Sequence, residues 1–162
     1  MNWIQLIKTQ TDKIAGKMLF SMDFWSIPQV SVILPIAADD RTLPAVVVAG
    51  LPAGATVVQA TAMFKFRMLG NAGAANKLTG DQQIQIQKAA GALTDAISLV
   101  ADQFGIAAAT REGGDVVIGN INVAATVDED ETYNFLWDEA VADVALLTFY
   151  DLQMGLKIWY SV

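Results

Sequence analysis

The sequence predicts an all-β protein, an antiparallel β-sandwich of jelly-roll-like topology. Three observations point there. Apolar residues recur at every second position in several separate stretches, which is the period of a strand with one face buried. Turn-forming combinations of Gly, Pro, Asn and Asp stand between those stretches. Eight to ten such stretches fit within 162 residues, and their spacing is too uneven for an up-and-down barrel.

The N-terminal stretch is the exception to that pattern. Trp3, Ile4, Ile7 and Ile14 fall roughly on one helical face, with Lys8, Asp12 and Lys13 elsewhere. Residues 1–16 therefore read as an amphipathic helix or an extended arm, separate from a single β-sandwich domain over residues 17–162. Met18, Phe20, Met22 and Phe24 then alternate, and Val30, Val32 and Leu34 follow. Asp39-Asp40-Arg41, between Pro35 and Pro44, reads as a loop. Residues 44–49 form an apolar strand, and Leu51-Pro52-Ala53-Gly54 is turn chemistry.

The clearest strand spans residues 57–69. Val58, Ala60, Ala62, Phe64, Phe66 and Met68 share one face, opposite Gln59, Thr61, Lys65 and Arg67, with Met63 out of pattern. Residues 83–87 alternate Gln and Ile. Leu93, Ala96, Ile97 and Val100 stand at i, i+3, i+4 and i+7, so residues 94–103 are expected to form a short helix crossing between the sheets. Val116-Val117-Ile118 and Ile121-Asn122-Val123 flank Gly119-Asn120, as a tight hairpin or as one bulged strand. Tyr133, Phe135 and Trp137 share a face that reads as core. Leu152, Met154, Leu156, Ile158, Tyr160 and Val162 close the chain by alternating with Gln153, Gly155, Lys157, Trp159 and Ser161.

Composition narrows the possible chemistry. Apolar residues make up 54% and charged residues 17%, against roughly 45–50% and about 25% in ordinary soluble domains. A lone globule of this size needs more charge to cover its surface, so part of the surface is expected to be buried against partners. The net charge is −7, from 17 acidic and 10 basic residues. That balance speaks against binding the nucleic-acid backbone, whose affinity comes from Lys and Arg on phosphates. The chain has no cysteine and no histidine. Thiolate nucleophiles, Cys-based metal sites, the commonest general base and the commonest transition-metal ligand are all missing from it.

The first residues lack the basic start and apolar core of a secretory signal. Residues 42–64 carry no charge over 23 positions, but Pro44, Gly50, Pro52 and Gly54 interrupt them. Strand, turn and strand explain the stretch better than a membrane-spanning helix does, so no membrane partner is expected.

Other candidate sites reduce to plainer readings. Asp128-Glu129-Asp130-Glu131 offers oxygen ligands for calcium but lacks the spaced ligands and mid-loop glycine of an EF-hand, and reads as a solvated hairpin tip. Glycoside hydrolysis by paired carboxylates needs two acids facing each other in a cleft. Asp23, Asp138 and Asp151 lie on faces or ends that read as exposed. The Ser-x-x-Lys spacing of one His-free catalyst is absent. Arg111-Glu112-Gly113-Gly114-Asp115 is turn composition, without the following Lys-Thr or Lys-Ser of a phosphate loop. No catalytic residue, metal or cofactor is expected. Trp25 and Trp159 fall opposite the apolar sets of their strands. With Trp3, Ile4 and Ile7 they are the candidate protein interface, and stacking on sugar rings is the alternative use.

Several segments resemble structural proteins of tailed bacteriophages. They are Leu51-Pro52-Ala53-Gly54-Ala55-Thr56 through Met63-Phe64-Lys65-Phe66-Arg67, then Arg111-Glu112-Gly113-Gly114-Asp115-Val116, Thr132-Tyr133-Asn134-Phe135, and Gly155-Leu156-Lys157-Ile158-Trp159-Tyr160. The resemblance covers residues 44–162 and rests on turn-and-strand patterns. It implies a non-enzymatic virion component, a capsid decoration or accessory head or tail protein. Its partners would be copies of itself and other virion proteins such as a major capsid protein. A carbohydrate-binding, lectin-like module is the alternative expectation.

Overall fold

A computed structural model describes residues 18–34, 41–71, 78, 80–89, 91–101, 103–106, 110–138 and 147–162. The N-terminal helix or arm and the loop at Asp39 and Asp40 lie outside the described residues. The described residues form nine strands: β1 (Leu19–Trp25), β2 (Gln29–Leu34), β3 (Arg41–Val47), β4 (Thr56–Asn71), β5 (Gln82–Lys88), β6 (Thr94–Leu99), β7 (Arg111–Asn122), β8 (Thr132–Asp138) and β9 (Leu147–Ser161). No described helix is long and apolar enough to cross a membrane.

Two antiparallel sheets pack face to face. The larger runs β1-β9-β4-β7, with β2 pairing further along β9, and the smaller runs β3-β8-β5-β6. Residues 26–28 join β1 to β2 on the same side of β9. Ser26 keeps the ladder closed there, donating its N–H to the Met154 carbonyl at 2.9 Å and accepting the Met154 N–H on Oγ at 3.0 Å. Pro28 has no N–H to offer and is tolerated because this is an edge. Counted as one interrupted strand, β1–β2 leaves eight strands, which pair first with last, second with seventh, third with sixth and fourth with fifth. That nesting is a jelly roll.

The alternating residues form the core between the sheets. Phe64, Phe66, Phe149 and Trp137 are buried, and Phe104 packs against them. Phe66 and Phe149 meet edge to face with ring centroids 4.9 Å apart, the favoured aromatic geometry. Trp137 Nε1–H donates to Gln82 Oε1 at 3.2 Å, so the largest core side chain buries no unpaired donor.

Bulges account for the departures from simple alternation. The helix expected over residues 94–103 is strand β6. Ile97 pairs with Ile84 while Asp95 pairs with Gln85, so Ala96 is an extra residue in β6. Ala96 and Ile97 are therefore buried side by side, and this local phase slip imitates helical spacing. In β4, Val57 pairs with Tyr160 and Gln59 with Trp159, leaving Val58 extra. Val57 packs on the core, whereas Val58, expected inside, is 49% exposed.

Residues 111–122 form one bulged strand, not a hairpin, and Gly113-Gly114 lies within it rather than in a turn. Two extra residues accumulate in β7 between its pairings with Thr61 and Met63. There Gly119 comes so close to β4 and to β6 that a Cβ would lie 2.8 Å from the Ala62 carbonyl and 2.6 Å from that of Ala96. Only glycine lets β7 approach both.

Candidate functional site

The outer face of the large sheet carries both described interface candidates. Trp25, Gly155 and Met63 pair in a row across β1, β9 and β4, and Ile118 of β7 extends the row. A Cβ on Gly155 would lie 2.7 Å from the Trp25 ring. The glycine is thus the floor on which the indole rests, a known way to cover a strand glycine. Lys65 Nζ sits 4.1 Å from the centroid of the same ring, within cation–π range. Met63, out of pattern in the sequence, is buried on this outer face.

Trp159 lies two rows away, paired with Ser21 and Gln59, and is half-buried with Lys157 Nζ 5.5 Å from its ring. The row between them holds Asp23 and Lys157, whose charged atoms are 3.4 Å apart. Trp25 and Trp159 therefore share one face without touching the same neighbours. Trp3, Ile4 and Ile7 lie outside the described residues.

Beside the first row the inward-facing residues change parity. Phe66 and Leu69 both face the core although three residues apart, and so do Phe149 and Leu152 of the neighbouring strand. Both strands change phase here, at the same level. Asp151 takes up the change in β9 with φ 52°, and Arg67 Nε meets its Oδ2 at 2.5 Å. At this level lies an open groove of about 610 Å³ lined by Lys65, Arg67, Gly114, Asp115, Asp151 and Gln153. Its polar groups are engaged within the chain. Asp151 holds Arg67, Asp115 accepts the Val116 N–H at 2.7 Å, and Gln153 Nε2 donates to the Ser26 carbonyl at 2.7 Å.

The acidic run is largely exposed, as the solvated reading expects. It joins β7 and β8 of different sheets rather than capping a hairpin, and it also ties neighbouring segments together. Asp130 accepts the N–H groups of Gly50 and Leu51 at 2.7 and 3.0 Å, holding the loop that precedes β4. Lys88 pairs with Asp128 and Glu129 together, and these bonds raise its pKa above the usual lysine range. The Tyr133 hydroxyl donates to the Glu129 carbonyl at 2.8 Å. Among the described residues no group of three or more Asp or Glu is arranged to hold a metal.

One surface was missed by sequence reasoning. Five large apolar side chains between residues 18 and 30 are exposed: Met18, Leu19, Phe20, Ile27 and Val30, the last two at 86% and 78%. Phe20 points to the inner side with Tyr160, their rings stacked at 5.7 Å, yet it remains 39% exposed because β1 is an edge. Its alternation read as ordinary core. The available signal was Ser26-Ile27-Pro28, a break that places the whole stretch on an edge.

No family model matches the chain, and no curated protein matches it. Among solved structures it is similar to the crystal structure of FLHE, at 8% identity and TM-score 0.41, covering 88% of this chain and 96% of that one. It is also similar to a structure of infectious bursal disease virus, Gx strain, at 9% identity and TM-score 0.35, covering 90% of this chain and 37% of that one. The coat protein of tobacco streak virus matches at 11% identity and TM-score 0.26, covering 90% and 86%. Likenesses this distant carry no argument about function, and the site must be read from its own residues.

Proposed function

We propose that this chain is a non-enzymatic structural subunit of a virus particle, working through contacts with copies of itself and with other particle proteins such as a major capsid protein. In its finer form the reading is a decoration or accessory protein of a tailed bacteriophage, as the segment resemblances imply. The observation that carries the assembling role is the uncovered apolar edge β1–β2. Ile27 and Val30 stand almost wholly in water there, an arrangement that a lone soluble subunit avoids and an assembling one uses. The jelly roll is compatible with this and also serves lectins and enzymes, so it lends no weight by itself.

The test is composition and size. Mass spectrometry of purified particles should find the chain at a fixed copy ratio to the shell protein, and light scattering should find the isolated protein above monomer mass. A monomer at high concentration that is absent from particles would end this reading.

Sugar binding is the second reading, and Trp159 is its support, as a half-buried ring on an outer face. Trp25 supports it less, since Gly155 and Lys65 already engage its ring. Retention on glycan resins, lost on Trp159→Ala, would move it ahead.

A further inference from the structure

We propose that the β1–β2 edge is the docking surface for residues 1–17 of a second copy of this chain, an inference that rests on the assembling role above. Among the described residues the edge has β9 on one side only, which leaves its outward side for a partner. Four large apolar side chains, Leu19, Phe20, Ile27 and Val30, are exposed along it, interspersed with exposed Ser21, Asp23, Gln29 and Ser31. An occupant must therefore bring apolar residues, and it must suit the charge of the body that it meets.

Residues 1–17 meet both requirements. They contain Trp3, Ile4, Leu6 and Ile7, together with three lysines and one aspartate. The remaining chain has seven basic and sixteen acidic residues. The segment is thus net +2 and the body net −9, which makes the pairing electrostatically complementary. Length also suits. Seventeen residues extend to roughly 55–60 Å at about 3.3–3.6 Å each, and the edge from residue 19 to 34 is about 50 Å long. A second copy fits better than the same copy. Residue 17 runs directly into residues 18 and 19, so folding back would demand a reversal within Ala15-Gly16-Lys17. A neighbour's segment needs no reversal, and each copy supplies one segment and one edge, so the contact repeats between identical subunits.

The absence of cysteine makes the test clean. Ile7→Cys and Val30→Cys are prepared as separate full-length variants and mixed under mild oxidation. The expected product is a disulfide-linked heterodimer, formed several-fold faster than between Ile7→Cys and Val116→Cys. Val116 is a control position exposed on the far edge, β7. Raising salt to about 1 M, where screening acts within about 3 Å, should slow the reaction.

Three outcomes overturn the proposal: equal rates at Val30 and Val116, no cross-link at all, or closure within single chains of an Ile7→Cys/Val30→Cys double variant. Light scattering of the unmodified protein separates the two readings. An oligomer without the cross-link removes this docking and leaves assembly standing, whereas a monomer without it removes both.

Discussion

Arg67 and Asp151 join β4 to β9, Nε to Oδ2 at 2.5 Å, at the level where both strands change which residues face the core. Asp151 holds φ 52°, a left-handed conformation that costs an L-residue roughly 1–2 kcal/mol and that Asp tolerates better than most. The ion pair is exposed and contributes about 0–1 kcal/mol. Asp151→Gly should therefore leave stability within about 1 kcal/mol, because relief of strain offsets the lost pair. Asp151→Val should lose roughly 1–3 kcal/mol, since a β-branched residue fits that backbone poorly. Urea denaturation of the two variants checks this, and equal stabilities would mean that the backbone there is not left-handed.

Adjacent glycines on β7 should behave oppositely. A Cβ on Gly114 would lie 1.9 Å from the Phe66 carbonyl, a backbone atom, while one on Gly113 would meet nothing within 4 Å. Gly114→Ala must push β7 away from β4 at the groove and should cost about 1–3 kcal/mol or more. Gly113→Ala should stay within about 0.5 kcal/mol. Hydrogen exchange along β7 provides the local readout, with faster exchange expected in the first variant alone.

The same contrast tests the bulge in β4. Phe66→Ala should cost about 3–5 kcal/mol by lost burial and a cavity among Phe64, Phe104 and Phe149. Val58→Ala, one of the alternating set in the sequence, should cost less than about 0.5 kcal/mol because Val58 is the extra, exposed residue. Comparable losses in thermal melts would place Val58 back in the core.

Period-two alternation carried most of the fold because each central strand keeps one face on the core over many residues. Tyr133, Phe135 and Trp137 are buried as that alternation requires, and the strands at residues 57–69, 83–87 and 152–162 follow from it. What alternation does not encode is the bulge. One extra residue at Ala96 made a strand resemble a helix, and one at Val58 displaced a predicted core residue. Register depends on the partner strand, which a single stretch of sequence does not name. Edge position was hidden for the same reason. Phe20 alternates as a core residue does and is exposed because, among the described residues, no strand lies beyond β1. The outward placement of Trp25 and Trp159 was legible, since it needs only parity, but the glycine beneath Trp25 belongs to another strand.

The acidic run predicts indifference to chelators. Asp130, Asp128 and Glu129 already accept from Gly50, Leu51 and Lys88, so calcium would have to displace bonds that the fold uses. Melting in EGTA should match melting in calcium. Asp130→Ala should lower stability by about 1 kcal/mol, as two charge-assisted bonds are exchanged for water. A calcium-dependent rise in melting temperature would show that these carboxylates bind metal after all.

Tyr133 sets the behaviour at alkaline pH. Burial is the main cause that raises its pKa above the ordinary phenol value, since the charged form is desolvated. Lys88 beside it is raised too, through its bonds to Glu129 and Asp128. For a group whose folded pKa exceeds its unfolded one, stabilisation is complete below the unfolded value and is lost as pH rises through the folded value. Both contributions are therefore intact at neutral pH and should decline above about pH 10, where phenol and ammonium ionise in the unfolded chain. Tyr133→Phe removes the bond to the Glu129 carbonyl and should cost about 0.5–1.5 kcal/mol at pH 7. The same variant should lose less stability than the unmodified protein between pH 9 and about 11.5, because one of the two titrating groups is gone. Parallel denaturation curves at those pH values decide it. An alkaline decline that is unchanged in the variant would assign the whole effect to Lys88 and its two carboxylates.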